Sequence, residues 1–204
     1  MQEKNATFAG FNCKVIIHKD KGLPVVFLHG HSYTRSIWQE LGILDLLVSK
    51  HVPFLALDMP YGEKSECTPK TQDPKSNVAV VNDAVKKIFG STAMPVLVGA
   101  SLGGNIALHY SAQYPIKGML LVAPARSFSD LKLVQAYKEF SFPTKIIWGS
   151  EDKIISGEEM RNLSFQLPNT KLLTYFGAEH SAYKQQTEKF KKDLLELYAL
   201  AEQS

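Results

Sequence analysis

The chain has little cysteine, little arginine and no long apolar run, and each shortage removes a class of function. Its two cysteines, Cys13 and Cys67, stand in unlike surroundings, one inside an apolar run and one in a polar loop. With no Cys-x-x-Cys and no second pair, neither a disulfide framework nor a zinc site is suggested. Only Arg35, Arg126 and Arg161 carry the forked guanidinium that phosphate readers favour, and 23 Lys+Arg against 20 Asp+Glu leave a net charge of +3. That balance describes a lysine-rich solvated surface, so no nucleic-acid partner is expected. No apolar run approaches the ~18 residues of a membrane span. The start Met1-Gln2-Glu3-Lys4-Asn5 carries no apolar core of a secretory signal. The expectation is a soluble cytoplasmic protein with no membrane partner.

What is present is a chain of 204 residues, 45% hydrophobic, with the size and composition of a single globular domain over residues 1–204. Short apolar runs recur at Leu23–Leu28, Val52–Leu57, Pro95–Val98, Gly118–Val122, Lys145–Trp148 and Lys171–Tyr175, and an earlier strand covers Lys14–His18. The six runs do not alternate strictly with polar residues, which predicts strands buried on both faces. Between them lie stretches of helical spacing: Ile37, Leu41, Leu44 and Val48; Val78, Val81, Val85 and Ile88; Leu102, Ile106 and Tyr110. A last helix over about Tyr183 to Ala201 places Phe190, Leu194, Leu197 and Tyr198 on one face. Thr68–Asn77 reads as a long polar surface loop. Strand–helix alternation predicts right-handed crossovers and a mostly parallel sheet of about seven strands, covered by helices on both faces. Ligands of such sheets sit beyond the carboxyl ends of the strands, so the residues that follow each strand matter most.

The Pro95–Val98 run leads into Gly99-Ala100-Ser101-Leu102-Gly103-Gly104 and then an apolar helix. Gly-x-Ser-x-Gly between strand and helix places a serine on a strained turn whose neighbours must lack side chains. Its Oγ would project above the sheet beside helix amides that favour negative charge. A serine nucleophile needs a base, and the base an orienting carboxylate. Of the six histidines, His180 follows the last strand in a glycine-bearing loop and is the best base. His109 lies two helical turns from Ser101, and His18 and His51 sit at element ends. Asp152, in Gly149-Ser150-Glu151-Asp152, is preferred to Glu151 as the acid, because Gly-x-x-Asp lets the loop turn over the strand end. Asp130 is the competitor and reads as an exposed helix residue. After the first long strand, Leu28-His29-Gly30-His31-Ser32 brings the main chain close to the same point. The amides of His31 and Leu102 would form an oxyanion hole. His29 is expected to hydrogen-bond within its loop, and with no acidic cluster beside His29 and His31 no metal is expected.

These residues together resemble the α/β-hydrolase superfamily, from about Leu23 to the last helix: Leu-His-Gly, then Gly-x-Ser-x-Gly at 99–103, Gly-x-x-Asp at 149–152 and Gly-x-x-His at 177–180, in that order. The resemblance implies Ser101 as nucleophile, His180 as general base and then acid, Asp152 as its partner, and no cofactor. Many relatives carry Asp-x-Pro-Gly-x-Gly-x-Ser after the next strand, whereas Asp58 to Ser65 here place Tyr61 and Glu63 at the glycine positions. Larger members insert a cap where this chain has only Ala123–Thr144, which suits a small cap-less esterase or acyl hydrolase. An open site walled by His31, Tyr33, Met59, Phe128 and Trp38 is expected, taking a small acyl ester, thioester or amide. Peptide cleavage, C–C hydrolysis, acyl transfer and non-catalytic binding are the alternatives on the same fold, and the oligomeric state is left open.

Overall fold

Consecutive residues of a strand point to opposite faces, and in the central strands of this chain both sets are apolar, which forces the sheet into the middle of the molecule. A computed structural model describes residues 1–204. Its eight strands are β1 (Gln2–Phe8), β2 (Phe11–His18), β3 (Val25–Leu28), β4 (Phe54–Leu57), β5 (Val96–Ala100), β6 (Gly118–Val122), β7 (Thr144–Gly149) and β8 (Thr170–Tyr175). They form one sheet in the order β1-β2-β4-β3-β5-β6-β7-β8. β1 pairs with β2, and β2 with β4, antiparallel; every other pairing is parallel.

Eight helices accompany the sheet: α1 (Ile37–Glu40), α2 (Ile43–Ser49), α3 (Pro74–Phe89), α4 (Leu102–Ser111), α5 (Leu131–Ala136), α6 (Gly157–Gln166), α7 (Ala182–Gln185) and α8 (Thr187–Glu202). Val25, Phe27, Phe54, Ala56, Val96 and Val98 face one way and pack with Trp38, Leu44, Leu47, Tyr183, Phe190 and Leu197, from α1, α2, α7 and α8. Val26, Leu28, Leu55, Leu57 and Leu97 face the other way, against residues of α3, α4, α5 and α6 such as Val81, Ile106, Leu133 and Met160. The fold is that of an alpha/beta hydrolase without a large cap: between β6 and β7 stand only α5 and a 3-10 turn at Tyr137–Glu139.

The differences from the sequence reading have local causes. β1 is an additional strand, polar and mostly exposed, so no apolar pattern marks it; its charged residues suit a sheet edge. β8 forms the other edge and is only partly buried, unlike the doubly buried strand expected. Gly42, at φ 64°, divides the expected Ile37–Val48 helix into α1 and α2. Gln186 at φ −125° divides the last helix into α7 and α8. Asp73 caps α3, accepting from the amides of Lys75 and Ser76 ahead of Pro74, so the polar loop ends earlier than expected. Asp130 is likewise an N-cap, of α5, and not a helix residue. α6 went unforeseen, because only Met160 and Leu163 are buried.

The cysteines are the main correction. An isolated antiparallel bridge between Asn12 and Thr68 sets the next residues opposite each other, and Cys13 and Cys67 are joined by a disulfide across 54 positions of sequence. The polar loop holding Cys67 folds back along β2, a path that no spacing in the sequence records.

Candidate active site

Because the central pairings are parallel, β3, β4, β5, β7 and β8 all deliver their following loops to one edge of the sheet. Ser101 leaves β5 at φ 52° and ψ −115°, a left-handed conformation costly for a residue with a side chain. The turn is held by Ser101 N–H donating to Val122 O at 2.9 Å, with Ser101 O accepting from Asn105 and Ala125, both at 3.1 Å. Its glycines are required by space. A Cβ on Gly99 would lie 2.5 Å from Gly103 O, one on Gly103 only 2.1 Å from Leu28 O, and one on Gly104 2.7 Å from Pro124 Cβ. Strand β5, helix α4 and strand β3 therefore meet with backbone against backbone.

The loops after β7 and β8 are stitched together in the same way. Ser150 N–H donates to Tyr175 O and Glu151 N–H to Ala178 O, while Gly177 N–H donates to Ser150 Oγ. A Cβ on Gly149 would collide with the carbonyl oxygens of Ala178 and Glu179 at 2.3 Å, so the Gly-x-x-Asp glycine is needed for this approach. The result is a contact of 2.8 Å between His180 Nδ1 and Asp152 Oδ2. The other oxygen of Asp152 accepts from the amides of Ile154 (2.8 Å) and Ile155 (3.0 Å). Burial pushes the Asp152 carboxyl up, but the bond from His180 and the amides of Ile155 and Ile154 outweigh it and hold the group below its ordinary range. Its side chain has no exposed surface, against 20% for that of His180. An ionised carboxylate here accepts the Nδ1 proton, which leaves His180 Nε2 free to take a proton from another group.

Ser101 and His180 line one cavity of about 240 Å³, together with Gly30, His31, Ser32, Tyr33, Ala100, Ile154, Ser181 and Tyr183. Asp152 stands behind His180. The amides of His31 and Leu102 have no acceptor within the chain; Leu102 opens α4, whose first internal acceptor, Ser101 O, is taken by Asn105. Gly30 lies 3.7 Å from Ser101 Cβ, measured from the position its own Cβ would take.

Three expected wall residues lie outside this cavity. Met59 is fully buried, in the apolar core to which α3 also contributes. Phe128 lines a separate surface cavity with Arg126, Glu158 and Glu159, and packs edge-on against Tyr137. Trp38 is also fully buried; its ring lies 5.1 Å from that of Tyr183 and supports this cavity residue from behind. Sequence reasoning missed Ser181 and Tyr183, although both stand within three positions of His180, and Ile154, which is 70% exposed two residues after Asp152.

The loop carrying His31 is fixed by the loop after β4. Buried His29 donates from Nδ1 to Gly30 O at 2.8 Å and accepts at Nε2 from Met59 N–H at 3.0 Å. Both ring nitrogens are thus used within the protein. Burial lowers the His29 pKa to about 4, the bond to Gly30 O and the Asp58 carboxylate opposing it. The departures from the glycine pattern have roles here. Tyr61 OH donates to His29 O at 2.6 Å, and Tyr61 O accepts from His31 Nδ1 at 3.0 Å. Gly62 has no room for a side chain, since a Cβ would meet His29 Cε1 at 2.5 Å. Among the side chains no group of three or more His, Cys, Asp or Glu is placed to hold a metal ion, and no helix is long and apolar enough to cross a membrane.

Comparison with known proteins agrees with this architecture. The profile of the alpha/beta hydrolase family matches residues 25–152. Protein ABHD14A of Danio rerio is 34% identical over 181 residues, covering 85% of this chain and 63% of that protein, so the chain spans a little under two thirds of that relative's length. "Putative protein-lysine deacylase ABHD14B" of Rattus norvegicus is 30% identical over 179 residues, covering 84% of this chain and 81% of that protein. Among solved structures, a predicted CIB-like hydrolase from Thermoplasma acidophilum superposes with a TM-score of 0.85 at 22% identity, covering 96% of each chain. At that identity the likeness speaks for the fold alone.

Proposed function

The chain belongs to the alpha/beta hydrolase family, and on that premise we propose that it is a serine hydrolase that cleaves small acyl esters, thioesters or amides through an acyl-enzyme. The observation that carries this reading is the shared cavity of Ser101, held at positive φ on a glycine turn, and His180, hydrogen-bonded to Asp152. In the reaction, His180 Nε2 takes the proton of Ser101 Oγ as that oxygen bonds to the acyl carbon. The amides of His31 and Leu102 hold the carbonyl oxygen as it becomes negative. When the tetrahedral carbon collapses, its bond to the leaving oxygen, sulfur or nitrogen breaks and His180 hands that atom the proton. Water then repeats the sequence on the acyl-enzyme and releases the acid. The chemistry needs no cofactor.

The cavity volume corresponds to roughly eight water molecules, which suits a short acyl group. The name of the ABHD14B relative favours a second reading within the same chemistry, removal of an acyl group from a lysine side-chain amide. The test is turnover of 4-nitrophenyl acetate and of an acetyl-lysine peptide, with fluorophosphonate labelling, in wild type and Ser101→Ala. Turnover and labelling that vanish in the variant support a serine hydrolase; a wild-type protein that neither labels nor turns over any acyl substrate overturns it. The ratio of ester to peptide turnover chooses between the two readings.

A further inference from the structure

A chain of hydrogen-bond donors runs along one side of the cavity. Lys184 Nζ, on the exposed face of α7, stands 4.7 Å from the centre of the Tyr33 ring and 3.4 Å from its hydroxyl oxygen. Tyr33 OH in turn lies 3.1 Å from Ser181 Oγ. An ammonium can only donate, so the Tyr33 oxygen accepts from Lys184, and one proton lies between the Tyr33 and Ser181 oxygens, either of which can donate it. Whichever hydroxyl donates, the other keeps a proton with no acceptor within the chain. Each link polarises the next, and the last donor belongs to a residue that lines the cavity. No Asp, Glu, Lys or Arg side chain lines this cavity; the Asp152 carboxylate stands behind His180 and the Lys184 ammonium behind Tyr33.

The array has a definite place relative to the reaction. Resting on the serine hydrolase reading above, the leaving atom departs next to the imidazole that protonates it, and Ser181 is the residue directly after His180. We propose that Ser181, Tyr33 and Lys184 form a subsite for a carboxylate on the leaving group, so that the substrates are O- or N-acyl derivatives of small hydroxy or amino acids. Ser101 takes the acyl group, the C–O or C–N bond breaks, and the free acid leaves with the proton from His180 while its carboxylate accepts the free hydroxyl proton of the Ser181–Tyr33 pair.

The test compares 3-acetoxybenzoate with its neutral counterpart 3-acetoxybenzamide in wild type, Lys184→Gln and Lys184→Arg at low ionic strength. An exposed ammonium–carboxylate pair is worth up to about five-fold, and hydroxyl donors bring the expected acid-to-amide ratio of kcat/KM toward ~10. The expected result is that this ratio falls toward unity in Lys184→Gln, is largely kept in Lys184→Arg, and declines in wild type as salt is added. A wild-type ratio at or below unity, or one that Lys184→Gln leaves unchanged, overturns the subsite. If neither ester is turned over, the subsite is judged from binding of the free acid 3-hydroxybenzoate by NMR, and the hydrolase reading is judged separately by its own labelling and turnover test. Saturable binding that weakens in Lys184→Gln supports it; no saturable binding overturns it.

Discussion

The Arg35 guanidinium and the Asp58 carboxylate meet at 2.8 Å with the Asp58 side chain fully buried and that of Arg35 8% exposed. Asp58 also accepts from the main-chain amides of Arg35 (2.8 Å) and Glu66 (2.9 Å), and Glu3 of β1 takes the other end of the guanidinium. One carboxylate thus joins the loop after β3, which carries His31, to the loop after β4, and the sheet edge covers them.

Replacing Arg35 by methionine strands the Asp58 charge in the interior. Breaking one partner of a buried pair costs about 3–5 kcal/mol. Urea unfolding of Arg35→Met is expected to show a loss in that range. A change below about 1 kcal/mol would mean that the pair does not hold these loops.

Asp152→Asn is expected to keep the fold and remove most activity. The amides of Ile154 and Ile155 can only donate, so they retain the oxygen of the new side chain and turn its NH2 toward His180 Nδ1. His180 then carries its proton on Nε2, the wrong tautomer for accepting one from Ser101. Loss of this kind is about 10⁴-fold in the serine-protease triad. The rate of fluorophosphonate labelling reads it directly, and a loss of less than ten-fold would argue against the role given to Asp152.

Two glycines of the site should behave differently. Gly103→Ala sets a methyl group 2.1 Å from the Leu28 carbonyl, backbone against backbone, and should prevent folding or cost several kcal/mol. Gly30→Ala meets nothing closer than Tyr33 Cδ2 at 3.5 Å, so its melting temperature should stay near that of wild type. Equal effects in thermal unfolding would contradict the backbone packing described here.

His29 predicts an acid-sensitive fold. Its pKa falls from 6.5 to about 4 on folding, so between these values the unfolded chain binds the proton that the folded chain refuses. Its contribution is fully present above pH 6.5, is lost progressively as the pH falls toward 4, and changes no further below that. Urea denaturation from pH 7.5 to 4 should show this decline, and His29→Gln should flatten it. A slope that is the same in both proteins would remove His29 as its source.

Much of the fold was legible because it is written in local pattern. The strands from Leu23 to Trp148 are apolar on both faces, and only burial between two helical layers satisfies that. Ser101, Asp152 and His180 could be chosen because each follows a strand beside a glycine that spacing alone displays: Gly99, Gly103 and Gly149 permit backbone approach, and Gly177 turns the chain at φ 72°. β1 had no such mark: an edge strand buries little, so its sequence stays polar.

Periodicity and glycine spacing, which act over a few residues, suffice for the parallel sheet, the turn at Ser101 and the loops that bear Asp152 and His180. The folded chain alone sets which distant groups meet. It paired Cys13 with Cys67, set Arg35 on Asp58, brought Tyr33 to Ser181 across 148 positions, and turned Met59 into the core and Phe128 into another cavity. Those contacts depend on the paths of whole loops, fixed by packing against the sheet edge, and no local propensity carries that information.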